Sequence, residues 1–283
     1  MRTAGPNAGH VYSRLVSGPS APPAPLFLQG NQPEGVPPLA LTGERTLPDV
    51  PEENYWFRRH LAVYEWIEPR VRGLRAIDMA CGEGYGSDVL AASAASVVGV
   101  DANPEAHEHA RLRYQIPTRP NLRFARDLVE TFPEPADAVV FLQTIEHLQD
   151  PVGVLAHFRS LVSESEKPVV FVSTPNVLTL APKGAERSDN PWHVHEYRSG
   201  EFEALCRGTF ATVEMYGLFH ARKLYAHALA LKLGWDRVHP RLRLTKPFYD
   251  WFTPAIAASD FALRPAGEAD LDEALDFIAV CRP

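Results

Sequence analysis

The stretch from Leu74 to Asp101 constrains the fold more than any other. A short apolar run (Ala76, Ile77, Met79, Ala80) stops at a glycine cluster, Gly82, Gly84 and Gly86. A helix-like stretch, Ser87 to Ala95, follows, and a second apolar run, Ser96 to Val100, ends on a carboxylate, Asp101. Strand, glycine-rich turn, helix, strand and acid together form the nucleoside-binding half of a doubly wound α/β fold. Gly82 and Gly84 can take backbone angles that a side chain forbids, and they let main-chain N–H groups approach a ligand. Asp101 lies 19 residues after Gly82, the spacing at which the second strand's tip reaches a ribose diol.

Two cofactor classes use this device. A dinucleotide asks for G-x-G-x-x-G, with the pyrophosphate on the helix N-terminus. Here position 87 is Ser, and Asp78 stands four residues before the first glycine. Acids at the end of the first strand and beside the turn suit a cationic ligand better than a pyrophosphate. The string Asp78-x-Ala80-Cys81-Gly82-x-Gly84-x-Gly86 resembles motif I of class I S-adenosylmethionine (SAM) methyltransferases. The competing reading is an α/β turn that holds no cofactor. Cys81 reads as packing rather than as a nucleophile.

With 283 residues and 45% hydrophobic content, the chain can bury one sizeable core with an appended lid. A net charge of −7 argues against a nucleic-acid partner, which needs a clustered basic surface. No run of about 18 apolar residues exists, so no membrane span is expected. The N-terminus lacks the apolar core of a signal peptide. Three cysteines, Cys81, Cys206 and Cys281, show no metal spacing and fit a reducing, cytoplasmic location.

Residues 1–40, rich in Pro, Ala, Gly and Ser, read as a disordered leader. Order is expected from Leu41, with Asp49 and Glu52 forming a helix N-cap and capping box. The helix that follows, Glu53 to Glu68, belongs to a cap unit over 41–73. Its start, Asn54-Tyr55-Trp56-Phe57-Arg58-Arg59-His60, is dense in aromatics and cations. Two readings stand: an amphipathic helix with a solvated basic face, or a cap with Tyr55 and Arg58 near the cofactor's carboxylate.

Beyond Asp101 and Ala102, a helix is expected over Asn103–Tyr114, with Pro104 in its first turn. A strand over Leu122–Ala125 leads to Asp127 and Leu128. A carboxylate at that tip can accept the adenine amino hydrogen bond, and the competing reading is a solvated loop aspartate. Asp137–Leu142 has the apolar run of a central parallel strand and enters Gln143-Thr144-Ile145-Glu146-His147-Leu148-Gln149-Asp150-Pro151. A helix to about Val162 and a strand over Val169–Ser173 come next. The loop Asn190–Tyr197 then packs two histidines, a glutamate and two aromatics into Trp192–Tyr197, beyond the strand tips where α/β enzymes keep their sites. A helix over Ser199–Phe210 and a strand over Thr212–Leu218 complete the SAM-binding unit, 74–222. Residues 223–270 read as an aromatic-rich helical lid insert, or alternatively as a homodimer contact. Residues 271–283 supply the last strand.

The motifs from Asn54-Tyr55-Trp56-Phe57-Arg58-Arg59-His60 through motif I, Ile145-Glu146-His147-Leu148, Ser173-Thr174-Pro175-Asn176 and Asn190-Pro191-Trp192-His193-x-x-Glu196 cover residues 41–221 and resemble a class I SAM methyltransferase. The lead-in Leu41-Thr42-Gly43-Glu44-Arg45-Thr46 and the carboxyl end are similar to actinobacterial enzymes associated with methylglucose lipopolysaccharide. The resemblance implies a Rossmann-like, seven-stranded, mostly parallel sheet with a reversed last strand. It implies cofactor contacts from Asp78, Ala80, Cys81, Gly82, Gly84 and Tyr85, from Asp101 and Ala102, and from Asp127 and Leu128. Gln143 and Ile145 would line the methionine and adenine ends of SAM.

The reaction so implied is in-line methyl transfer to an acceptor oxygen. Alignment does most of the work, and a positioned base assists a poorly nucleophilic hydroxyl. His147 is the first candidate base and His193 the second, with Glu146 orienting His147; a loop-pinning role for His147 competes. The aromatic- and His-rich loop favours a sugar or oligosaccharide acceptor. The alternatives are another small metabolite such as a quinone-like phenol, a non-catalytic binding protein of the same fold and, last, a nicotinamide-dependent dehydrogenase. Quinone-pathway O-methyltransferases resemble this chain and use acids near the Glu-His pair with a downstream histidine. Here Gln143 replaces one such acid; Glu146, His147 and His193 remain as a weak divalent site that is the less favoured reading, and no metal is assigned.

Overall fold

Apolar runs bounded by turn residues become the strands of an eight-stranded sheet. A computed structural model describes residues 26–27, 29–41, 45–182, 185–242 and 245–283. The elements are β1 (Leu26–Phe27), β2 (Leu39–Ala40), α1 (Asn54–Ile67), β3 (Arg75–Met79), α2 (Tyr85–Leu90), β4 (Ser96–Val100), α3 (Pro104–Tyr114), β5 (Leu122–Ala125), β6 (Ala138–Leu142) and α4 (Pro151–Leu161). They continue with β7 (Val169–Pro175), α5 (Val177–Leu180), α6 (Ser199–Arg207), β8 (Thr212–His220), α7 (Arg222–Lys232), α8 (Trp235–Arg241), α9 (Thr245–Phe252), β9 (Phe261–Pro265) and β10 (Asp276–Arg282). The sheet order is β5-β4-β3-β6-β7-β10-β8-β9. Strands β3 to β7 are mutually parallel, and β10 runs antiparallel between β7 and β8. This is the doubly wound Rossmann-like architecture with the expected reversed strand.

The chain winds outward from β3 through β4 to β5, then crosses back to lay β6 and β7 on the other side. The reversal point therefore lies between β3 and β6, where ligands bind in such sheets. Both central strands are covered on two faces, and every residue of β6 is buried, as continuous apolar runs in a parallel sheet require. Successive side chains alternate between the two faces. In β3, Ala76 joins the core built with Phe57, Tyr64 and Leu90, whereas Ile77 and Met79 join the one built with Phe141, Phe158 and Phe202.

The structure departs from the sequence reading in three places. The sheet has eight strands rather than seven, because the segment 223–270 contains β9, paired antiparallel with β8. The helical insert is thus confined to α7–α9. Strand β9 is a short edge strand ending on Pro265, with too little apolar alternation to stand out beside the aromatics before it. Second, a disordered leader does not describe residues 26–27 and 29–40. There Leu39 packs with Leu47 and Val50, Val36 and Gln29 are buried, and β1 pairs with β2. Residues 1–25, and Thr42 to Glu44 of the lead-in, lie outside the described residues. Third, Asp49 caps no helix: its φ is +59°, and a 3-10 turn, Pro51–Glu53, precedes α1. Asp49 instead accepts from Asn31 at 3.4 Å.

Candidate functional site

The glycine turn leaves the tip of β3 through Ala80 (φ +57°), Gly82 (φ +55°) and Gly84 (φ +99°). A left-handed alanine here, and a left-handed Gln143 (φ +52°) at the tip of neighbouring β6, place backbone strain on both sides of the reversal point. Asp101, at the tip of β4, holds the turn. Its Oδ2 accepts the Gly82 N–H at 2.8 Å and its Oδ1 the Asn103 N–H at 2.8 Å. Burial raises this carboxyl's pKa against those two bonds. Ala102, beside it, is half-buried.

The glycines divide the work. A Cβ built on Gly82 meets no atom within 4 Å, so the turn is open at that point and fits a ligand laid against its main chain. Gly84 is different: a Cβ there comes within 2.8 Å of Ala110, and one on Gly86 within 2.1 Å of the Tyr64 ring. Those two glycines let α3 and α1 pack on the turn. Gly84 thus has a packing role of its own, beside the ligand approach expected of its main chain.

Asp78 faces α1, away from the opening. It is fully buried and accepts from the Tyr64 hydroxyl at 3.0 Å and the Ser87 hydroxyl at 2.7 Å. Burial pushes its pKa up to about 7 despite those bonds. Ser87, which breaks the dinucleotide pattern, is thus the residue that fastens Asp78. Cys81 is buried and burial pushes its thiol well up, which leaves it protonated and inert. The Tyr85 hydroxyl lies 3.0 Å from Thr46 Oγ1, with its ring edge-on to Phe57 and Tyr64. Ile145 is fully buried in the core and so presents no lining surface.

Other expected cofactor residues turn to local partners. Asp127 Oδ1 accepts from Leu128 N–H at 2.8 Å and Thr131 Oγ1 at 3.2 Å. Gln143 donates its N–H to Ser173 O at 3.2 Å and its Nε2–H to Ser173 Oγ at 3.0 Å. Tyr55 OH shares a 2.8 Å hydrogen bond with His220 Nε2, and Arg58 Nε donates to Asn54 Oδ1 at 3.1 Å. Among the described residues neither bonds to the glycine turn. The arginine that α1 buries is Arg59, held bidentately by Asp276 at 2.7 and 2.5 Å.

A network invisible to local patterns covers the turn. Glu83, between two motif glycines, is buried. Its carboxylate accepts from Gln29 Nε2 at 2.9 Å, the Tyr85 N–H at 3.1 Å and the Tyr114 hydroxyl at 2.8 Å. Arg113 Nε lies 3.3 Å away and His109 Nε2 3.2 Å away, while His109 Nδ1–H donates to Pro37 O at 2.7 Å. Gln29 and Pro37 are thereby strapped onto the turn. Glu83 carried one local signal, a charge inside a tight glycine motif, but its partners lie as far as 54 residues away in sequence.

The second cluster forms where β6 and β7 end. A 3-10 turn, Ile145–His147, carries Glu146 and His147, and the Asn190–Tyr197 loop folds onto it through Val194 N–H to Glu146 O at 2.8 Å. Glu146 is buried and accepts from Thr174 Oγ1 at 3.1 Å. His147 Nδ1–H donates to Trp192 O at 3.1 Å, which leaves the lone pair on Nε2, 3.9 Å from Glu146 Oε1. His193 Nδ1–H donates to Glu196 Oε1 at 2.7 Å, and Asn190 Nδ2 donates to His193 Nε2 at 3.0 Å. Burial opposes it, yet the bonds from Ser188 and His193 hold Glu196 below the ordinary carboxylate range. One ligand atom each from Glu146, His147 and His193 lie within 4.8 Å of one another. His195 stays outside, exposed, with its ring against Tyr197.

Comparison with known proteins agrees with this geometry. A family model described as a methyltransferase domain matches residues 52–209. A probable S-adenosylmethionine-dependent methyltransferase of Mycolicibacterium smegmatis is 35% identical over 251 residues, covering 86% of this chain and 94% of that one. A ubiquinone biosynthesis O-methyltransferase of Albidiferax ferrireducens is 33% identical over 159 residues, 50% of this chain and 62% of that one. Among solved structures, a small RNA methyltransferase superposes with a TM-score of 0.54 at 17% identity, over 82% of this chain and 25% of that one, a likeness of fold alone. An open glycine turn held by the strand-tip carboxylate Asp101 fits the cofactor of these relatives, and the chain belongs to the methyltransferase family as a SAM-dependent enzyme.

Proposed function

We propose that this enzyme O-methylates a small-molecule hydroxyl of the quinone-like phenol class, with His147 as the base. The observation that carries the reading is the Glu146–His147–His193 cluster at the tips of β6 and β7. The half-length similarity to ubiquinone biosynthesis O-methyltransferases supports the acceptor class. A sugar or oligosaccharide acceptor is the alternative. It relies on the aromatic loop as a stacking platform, and Tyr197 of that loop is buried.

When bound, the cofactor supplies a sulfonium methyl, which the acceptor oxygen takes in line, leaving a thioether. The chain's own part is alignment and proton removal. Asp101 and the Gly82 main chain hold the nucleoside side of the site. Trp192 O fixes the tautomer that leaves His147 Nε2 as proton acceptor, and Glu146, anchored by Thr174, stabilises the imidazolium that results.

A second reading has its own support. Both histidines tie Nδ1–H to an oxygen, a backbone carbonyl for His147 and a carboxylate for His193, the outer bonds that orient metal-ligating imidazoles. Glu146, His147 and His193, one ligand atom from each within 4.8 Å of the others, are then a candidate ligand set for a divalent cation.

Release of S-adenosylhomocysteine is measured with catechol-type phenols and with glucose oligomers, before and after chelator dialysis. We expect turnover on the phenols, and a loss of about a hundredfold or more in kcat for His147→Ala with S-adenosylhomocysteine affinity unchanged. Turnover on glucose oligomers alone refutes the acceptor class. Loss of activity on chelation, restored by a divalent cation, replaces the base by the metal. Equal loss of turnover and affinity in His147→Ala makes the residue structural.

A further inference from the structure

Half of the large apolar side chains that stand exposed among the described residues fall between 225 and 251. Along α7 and its C-cap, Tyr225, Leu229 and Leu233 follow one another at four-residue steps, which sets them on one side, and they are 62%, 48% and 80% exposed. Val238 and Leu242 continue the exposure around α8, and Trp251 on α9 is 68% exposed. Around these side chains the sequence changes sign. Residues 222–252 hold seven lysines and arginines against two carboxylates, Asp236 and Asp250, in a chain whose net charge is −7. Lys232 and Arg241 are exposed, as is Lys246, which pairs with Asp250 at 2.6 Å.

Short helices that combine exposed Leu, Tyr and Trp with a basic surround match the chemistry of the headgroup layer of an anionic bilayer: apolar side chains enter the acyl boundary while cations meet phosphates. We propose that the α7–α9 insert docks this enzyme on the surface of an anionic membrane. The helices lie on the bilayer and do not cross it, since no helix among the described residues is long and apolar enough. A second copy of the chain is a poorer occupant, because it would bring the same positive segment against this one. Nucleic acid would satisfy the charge and leave the leucines uncovered.

The insert is placed to matter. Strands β7 and β8 both run antiparallel to β10, so β8 ends at the same sheet edge as the β3–β7 tips, and α7 leaves directly from it. Docking there brings the carboxyl edge of the sheet, and with it the cofactor turn, toward the bilayer. The proposal stands independently of the acceptor class.

The test is co-sedimentation of the full chain with vesicles of phosphatidylcholine alone or of an equal mixture of phosphatidylcholine and phosphatidylglycerol. We expect binding to the mixed vesicles only, weakened by salt. Leu229→Asp/Leu233→Asp and, separately, Lys232→Glu/Arg241→Glu should each lower partitioning by about tenfold or more. Both variants change exposed side chains, and unchanged S-adenosylhomocysteine affinity shows that they are folded. Binding to neither vesicle overturns the proposal, as does equal binding by parent and variants. A parent dimer that the aspartate pair converts to monomer, without vesicle binding, assigns the face to self-association instead.

Discussion

The strap over the cofactor turn makes a quantitative demand on Glu83. Replacing it by alanine removes the acceptor of Gln29, the Tyr85 N–H and the Tyr114 hydroxyl. It also leaves the Arg113 guanidinium, whose side chain is 9% exposed, with Asp49 at 3.6 Å as its remaining carboxylate partner. Removing one partner of a buried ion pair costs about 3–5 kcal/mol, and orphaned donors add to this less than additively. In a chain of this size each kcal/mol shifts the unfolding midpoint by about 2–4 °C. Glu83→Ala should therefore lower the midpoint by about 6–20 °C. Glu83→Gln, which keeps an acceptor oxygen, should lose less. Because Glu83 sits in the turn itself, affinity for S-adenosylhomocysteine should fall as well, and protease cleavage between residues 29 and 50 should accelerate. Differential scanning calorimetry, ligand titration and limited proteolysis check the three parts. A midpoint within about 2 °C of the parent would mean that the network contributes nothing net, and the strap would be a passive covering.

Two further outcomes follow from the site. Asp101→Ala removes the acceptor that holds the Gly82 N–H and should weaken S-adenosylhomocysteine binding by about ten- to a hundredfold, read by calorimetric titration; unchanged affinity takes Asp101 out of the site. Asp78 controls a pH dependence: burial raises its pKa from 3.8 to about 7, so between those values the folded chain keeps a proton that the unfolded chain has released. Its contribution to stability is full below pH 3.8 and is lost as pH rises through 7, and Asp78→Asn should flatten that slope in denaturant titrations across the window, whereas an identical slope in the variant refutes the assignment.

Much of the sheet was legible because it is coded locally. Ser96–Val100 and Leu122–Ala125 are strands with the boundaries expected of them, since short apolar, β-rich runs between turn residues leave the backbone few alternatives. Asn103 accepts from two main-chain N–H groups at the start of α3, as its place before Pro104 required. Legibility ended where a partner comes from far along the chain. Asp49 carries a capping-box spacing, yet Pro51–Glu53 takes up the 3-10 turn first, and Asp49 is drawn to Asn31 instead. The proline-rich approach to residue 40 has the composition of a leader. Composition does not reveal that Pro37 O meets His109 or that Gln29 meets Glu83.

Glu83 and Glu146 show why motif membership alone does not assign a role. Each is a buried glutamate in a recognisable string, one between glycines and one before a histidine, and by local pattern either suits catalysis. What separates them is which distant groups arrive. Glu83 is met by a guanidinium, an amide and a phenol from α3 and the strap, donors that saturate its oxygens and turn it into a clasp. Glu146 is met by a threonine hydroxyl and by two imidazoles whose Nδ1 atoms are already committed elsewhere. That arrangement gathers two imidazoles and a carboxylate at a strand tip, a donor set suited to proton transfer or cation binding, which the clasp around Glu83 is not. The proposed chemistry thus depends on the Asn190–Tyr197 loop as much as on the Glu-His string it folds against. Loosening that loop, as Glu196→Ala would do by releasing Ser188 and His193, should depress turnover while the cofactor turn, held by Asp101, keeps its affinity.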